Sequence, residues 1–326
     1  MSGALKMTRS TNAVVAEMTA EPSAAALRSP VKRYFMATRP PFLTITLFGC
    51  LLGIATAHAD GAELNAATAV TTVVLAMLLN AAVNVSNDYW DHLNGSDALN
   101  TRRVFPFTGG SRFIQNGVIS PRATLWLARA LFAATIVGGL VLAWLVGAGL
   151  LWIGIFGVIT GWAYSAEPLR LNSRGLGEVC VVLTFWLVVV GADLVQRGSI
   201  GDTALWAGLG YALLTANILY INQFPDREAD LAAGKRHWVA RMPVDRARWG
   251  YVVILVVAAL AMLLPVLAGE LPGESALGLL ALIPGALAAR ILLRHADEPP
   301  MLAPALRLTI VAAHVAAAAT AAGMHL

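Results

Sequence analysis

Apolar residues run through this chain in blocks of roughly 17 to 25, the length that a helix rising 1.5 Å per residue needs to cross about 30 Å of hydrocarbon. Nine such blocks can be read, near residues 41–59, 65–87, 122–145, 147–164, 176–196, 203–223, 247–269, 274–293 and 303–323, with Gly and Pro marking the turns between them. The pattern predicts an all-α, polytopic membrane protein of about nine transmembrane helices. Ahead of it, residues 1–38 are rich in Ala, Ser and Thr with scattered charge, and hold no apolar core of the kind a secretory signal needs. They are expected to form a mobile cytoplasmic tail, followed by one transmembrane domain over 39–326.

Composition strengthens this reading. Of 326 residues 58% are hydrophobic and 13% charged, and the mean hydropathy is +0.68, which excludes an ordinary soluble domain. A net charge of +4 would suit nucleic acid, but the basic residues lie in short loops between apolar blocks, so no nucleic-acid partner is expected. They read instead as an orientation signal. With the N-terminus on the cytoplasmic side, every Lys and Arg except Arg197 falls on that side, counting Arg129 with the nearer end of its helix. The two cysteines, Cys50 and Cys180, sit inside apolar blocks and read as packing residues.

Two polar stretches break the pattern. The second block ends in Asn84, Asp88 and Asp91, at i, i+4 and i+7; the sixth ends in Asn222, Asp226 and Asp230, at i, i+4 and i+8. Each set projects from one helix face, and both fall at the same side of the membrane. A carboxylate at the centre of a spanning helix costs roughly 2.5 to 3.5 kcal/mol on insertion scales, less near the interface, so a compensating partner is expected. Solvated helix ends are the plain alternative, but they leave the repeated Asn-x-x-x-Asp spacing unexplained. Hard divalent cations take oxygen ligands, and Mg²⁺ is commonly held by one or two carboxylates with substrate phosphate and water. Two opposed acidic walls therefore suit Mg²⁺ bridging a diphosphate, with Asp88, Asp91, Asp226 and Asp230 as metal ligands and Asn84 and Asn222 supporting them. Lys235 and Arg236, in Gly234-Lys-Arg, and Arg112, in Thr108-Gly-Gly-Ser-Arg, can reach phosphate oxygens.

From Arg39 to the C-terminus the chain resembles the intramembrane aromatic prenyltransferases of the UbiA superfamily. The residues that carry the resemblance are Arg39-Pro40, Asn84-x-x-Asn-Asp88-x-x-Asp91 with Gly95 and Asp97, and Thr108-Gly-Gly-Ser-Arg-x-Ile-Gln115. They continue in Tyr164-Ser-x-x-Pro168-Leu-Arg170, Arg174-Gly-Leu-Gly-Glu178, and Asn222-x-x-x-Asp226-x-x-x-Asp230 with Gly234-Lys-Arg236. The loop after Asp97 and the Arg174–Glu178 element look most like the 1,4-dihydroxy-2-naphthoate branch, which makes menaquinone precursors. Residues 237–243 and Pro225 depart from that branch, which bears on the acceptor and not on the diphosphate site.

The resemblance implies helices around a central cavity with cytoplasmic cap loops, in a bacterial-type inner (plasma) membrane. It also implies Mg²⁺-dependent transfer from polyprenyl diphosphate to an aromatic acceptor, with Asp88, Asp91, Asp226, Asp230 and Tyr164 catalytic and Arg39 among the substrate-binding residues. Ionisation of the allylic C–O bond leaves a carbocation that must be kept from water, and Tyr89, Trp162, Tyr164 and Tyr220 are expected to line the cavity and face it. Other acceptors, 4-hydroxybenzoate or homogentisate, are alternatives. A different class, a cation-coupled secondary transporter, would place its acids near the midplane in interrupted helices, whereas here they cluster at one face.

Overall fold

In the computed structural model, which describes residues 21–326, nine helices are long and apolar enough to cross a membrane. They are α1 Pro40–Ala59, α2 Ala66–Asn94, α3 Pro121–Val146, α4 Ala148–Ser165, α5 Gly177–Arg197, α6 Asp202–Ala232, α7 Val244–Leu267, α8 Gly273–His295 and α9 Pro299–Gly323. The described residues contain no strand. Local chemistry sets the helix ends. Asn65 caps α2 by accepting from the Ala67 and Thr68 amides at 3.0 and 3.1 Å. Ser120 caps α3 through the Ala123 amide at 3.2 Å, with Pro121 in the first turn.

Length places the acidic residues. At 29 and 31 residues, α2 and α6 are each about 45 Å long, some 15 Å more than the hydrocarbon needs. That surplus is two to three turns, and those turns carry Asp88, Asp91, Asp226 and Asp230. The apolar blocks stop near 87 and 223 because hydropathy measures hydrocarbon, whereas the backbone ladder continues until Gly95 ends α2 in the left-handed conformation. Pro225 is accommodated inside α6.

The most buried of the nine helices is α6. It packs against α5 and α7, and its Tyr211, Leu214 and Ile221 form one core with Tyr251 of α7 and Leu306 of α9. By contrast α2, α3 and α4 bury little of their length: part of each lines a cavity, and their outer faces, with Val74, Val137, Trp144 and Trp152, are exposed. Helix α1 lies tight against α5 at Gly53, where any side chain would fall on the Val189 carbonyl.

Residues 21–38 are the described part of the expected tail. Leu27 is buried against Phe113, Val118 and Ile119, and a short helix, Pro30–Ala37, leads into α1 under a Ser29 cap. The rest of the expected tail, residues 1–20, lies outside the described residues.

The far end of the bundle explains the one basic residue that breaks the charge pattern. Arg197 donates from Nε to Asp193 at 3.0 Å and also pairs with Asp60. Asp193 is fully buried and accepts from Thr56 Oγ1 at 2.9 Å as well. A cation held between two carboxylates adds no positive charge to its side of the membrane.

Candidate active site

The ends of α2 and α6 converge at one end of the bundle, and Lys235 joins them. Its Nζ stands 2.8 Å from Asp91 Oδ1 on α2 and 3.1 Å from Asp230 Oδ1 on α6. Burial alone would pull this ammonium's pKa down; Asp91 and Asp230 outweigh that and raise it, so the cation is permanent. His237 supports Asp230 from the other side. Its Nδ1 accepts from the Ala240 amide at 3.2 Å, which leaves the proton on Nε2, 3.1 Å from Asp230 Oδ2.

The loop between α2 and α3 closes over both helix ends. The Gly109 amide donates to Asp226 Oδ2 at 3.2 Å, and the Ser111 amide donates to Asp88 Oδ1 at 3.1 Å. Asn100 donates to Asp226 Oδ1 at 2.6 Å. Gly110, at φ 71°, lies directly on the carboxylates, and a Cβ there would come within 2.6 Å of Asp97 Oδ2 and 3.1 Å of Asp88 Oδ1. Backbone donors thus orient one carboxylate of each cluster.

A polar pocket of about 210 Å³ opens between these groups. Asp91, Asp226, Asp230, Lys235, Asn84 and Asn222 line it, together with Arg39 and Tyr164. Arg39 takes a left-handed backbone (φ 59°), lays its guanidinium 4.4 Å from the Phe42 ring centre and donates to the Phe107 carbonyl at 3.2 Å. Asn84 donates to the Thr38 carbonyl at 3.2 Å. Asp88 sits behind the lining, under the Ser111 amide. Arg112 is buried and turned away, with its NH1 donating to the Asp97 carbonyl. Arg236 is exposed, and only its backbone is tied, to the Ser173 carbonyl at 2.8 Å.

A second cavity of about 500 Å³ lies next to the first and is almost wholly apolar. The two share Asn80, Val83, Asn84, Tyr164, Val181 and Phe185. Exposed Ile136 and Leu140 of α3 and Ile155 and Ile159 of α4 also line it, so it opens sideways between these helices. Of the four aromatic residues expected around the site, only Tyr164 lines it. Tyr220 is spent on the Ala247 carbonyl at 2.7 Å, Trp162 is 43% exposed on the outside of α4, and Tyr89 meets Trp90 edge to face. Phe42, Phe107 and Phe185 take those places. Helical register alone could not tell the two sides of α4 and α6 apart.

The donor set suits a hard cation. Asp88, Asp91, Asp97 and Asp230 are each less than 9% exposed. Burial pushes the Asp97 carboxyl well above the ordinary range, and the charges of Asp91 and Asp88 push it further. Positive charge beyond Lys235 would relieve this excess. Among the described residues no three His, Cys, Asp or Glu side chains enclose a metal position by themselves.

A bundle whose acidic and basic head pocket opens onto an apolar, laterally open cavity defines a membrane-embedded protein with a polar and an apolar compartment side by side. The chain belongs to the UbiA prenyltransferase family, whose model matches residues 46–318. It is an integral membrane prenyltransferase. The 1,4-dihydroxy-2-naphthoate octaprenyltransferase of Haemophilus influenzae is 28% identical over 251 residues, 73% of this chain and 78% of the relative. The 2-carboxy-1,4-naphthoquinone phytyltransferase of a Synechocystis species is 25% identical over 276 residues, 82% and 83% of the two chains. In fold, the structure of a UbiA homolog from Archaeoglobus fulgidus bound to DMAPP and Mg²⁺ superposes with a TM-score of 0.62 at 17% identity, covering 90% of this chain and 99% of that one.

Proposed function

We propose that this protein transfers a polyprenyl group from polyprenyl diphosphate to 1,4-dihydroxy-2-naphthoate with Mg²⁺, in menaquinone-type quinone biosynthesis. The site faces the cytoplasm of a bacterial-type inner membrane, as the distribution of Lys and Arg favours. The observation that carries the reading is Lys235, which joins Asp91 and Asp230 across the two helix ends beside an apolar cavity. Relatives named for naphthoate and naphthoquinone acceptors support the choice of acceptor over hydroxybenzoate or homogentisate.

Asp91, Asp226 and Asp230, with Asp88 behind them, would hold the metal, which when bound supplies positive charge against the diphosphate. Lys235 and Arg39 face the same oxygens and stabilise the charge that builds on them as the allylic C–O bond breaks. The Gly109 and Ser111 amides keep Asp226 and Asp88 in fixed orientations, so the carboxylates do not reorganise during the step. Asn84 and Asn222 flank the diphosphate as neutral polar groups. Tyr164 and Phe185 are the aromatic residues where the two cavities meet, suited to stabilise the allylic cation. The apolar cavity shields that cation from water until the electron-rich ring captures it, and the ring regains its aromaticity by losing the group on the attacked carbon, a proton or, where that carbon bears the carboxylate, carbon dioxide.

The test is purified protein with Mg²⁺, a set of polyprenyl diphosphates and a panel of aromatic acids, with the lipid product identified by mass. Asp91→Asn and Asp226→Asn are each expected to lower turnover about 10²- to 10³-fold, the usual effect of losing one preorganised electrostatic group. Unchanged turnover in both variants overturns the site.

A further inference from the structure

The segment ahead of the first span makes contacts that the proposed reaction does not use. Glu21 Oε1 accepts from Arg103 Nε at 2.7 Å, and its Oε2 accepts from Asn116 Nδ2 at 3.1 Å. The same Asn116 amide donates to the Pro22 carbonyl at 3.0 Å. Arg112 Nε stands 3.9 Å from Glu21 Oε2. Leu27, buried against Phe113, Val118 and Ile119, anchors the next turn. Arg33 then fastens it by donating from Nε and NH2 to the Leu27 carbonyl at 3.1 and 2.9 Å.

The side-chain partners of Glu21 and Leu27 named here all belong to the loop that closes over the acidic helix ends. Arg103 makes the connection specific. Its aliphatic stem lies so close over Gly109 that a Cβ at 109 would come within 2.6 Å of Arg103 Cβ and Cδ. The Gly109 amide in turn donates to Asp226. A continuous line of contact therefore runs from the carboxylate of Glu21 through the stem of Arg103 and the backbone of Gly109 to Asp226.

We propose that Glu21 is a positioning residue for the donor site: acting through Arg103, it presses the α2–α3 loop onto Asp226, and residues 21–29 form a strap over that loop. This rests on reading the Asp226 end as the diphosphate site. The contrary role, in which Glu21 occupies Arg103 and Arg112 as a decoy for the diphosphate, predicts the opposite sign when it is removed.

The experiment uses the full chain in lipid nanodiscs and the variants Glu21→Gln, Glu21→Asp, Arg103→Gln and Glu21→Gln with Arg103→Gln. Transfer by the wild type with polyprenyl diphosphate tests the proposed function by itself. In Glu21→Gln the KM for the prenyl diphosphate is expected to rise about three- to tenfold, the scale of one lost partly buried ion pair with its hydrogen bonds, while kcat stays within about twofold. Glu21→Asp restores most of the loss, Arg103→Gln reproduces it, and the double variant is no worse than Arg103→Gln alone, since both act on one path. A readout free of turnover is amide hydrogen exchange in the ligand-free protein, which is expected to speed up at Gly109 and Ser111 in Glu21→Gln. An unchanged or lowered donor KM, a parallel fall in kcat, or unchanged exchange at those two amides overturns the proposal. Failure of the wild type to transfer any prenyl group strikes the proposed function instead, and the exchange result still decides the strap.

Discussion

Gly110 combines a left-handed backbone with two carboxylates packed where a methyl group would stand. Gly117, in the same loop, has a similar φ of 66°, yet a Cβ placed there would meet nothing within 4 Å. The pair separates strain from displacement. Ala at 117 is expected to cost about 1–2 kcal/mol of backbone strain and leave turnover within about threefold. Ala at 110 carries the same strain and also pushes the loop off Asp88 and Asp97, so turnover should fall at least about 30-fold, roughly 2 kcal/mol. Steady-state rates alongside thermal melting check this, and equal losses for the two variants would sink it. At this scale the four aspartates and Lys235 are legible in the sequence, because charge in or beside an apolar run is conspicuous. The Gly109 and Ser111 amides are not, since they carry no side-chain signature, and neither is His237, whose role depends on the turn that brings the Ala240 amide to its Nδ1.

Helices are more legible than loops. All nine spans follow from apolar length, since a bilayer imposes a minimum on every one of them. What length alone does not show is which ends continue beyond the hydrocarbon, and the extra turns of α2 and α6 are the ones that carry the carboxylates. Packing between helices depends on small residues in a way register cannot reveal. Gly53 allows α1 to approach the α5 backbone at Val189, so Gly53→Leu is expected to separate the two helices and disturb the neighbouring Thr56–Asp193–Arg197 network. Overpacking of this kind costs about 1–3 kcal/mol or more. Lower yield of folded protein by size exclusion and an earlier melt should follow, while Gly154→Leu on α4, where a Cβ would meet nothing within 4 Å, serves as the tolerated control.

The whole molecule divides into a packed half and an open half. The buried side chains of α6, α7 and α9 form the main core, while α2 to α5 enclose the apolar cavity. Excess buried carboxylate at the head of that cavity is a standing cost to the folded state. A divalent cation with an anion of diphosphate type should offset it. Adding Mg²⁺ with inorganic pyrophosphate is expected to raise the melting temperature, with about 2.7 kcal/mol of stabilisation available at a hundred times the dissociation constant. Chelation should abolish the shift, and Asp91→Asn should shrink it; a shift of equal size in that variant would argue against binding at this position.

The shared wall of the two cavities has a last consequence, for traffic. Asn84, Tyr164 and Phe185 border both the water-side chamber and the one that opens to lipid, so a cleaved molecule straddling them has two ways out. On the proposed reaction the released diphosphate is expected to depart past the loops and the lipid product between α3 and α4 into the bilayer, so that neither has to pass the other.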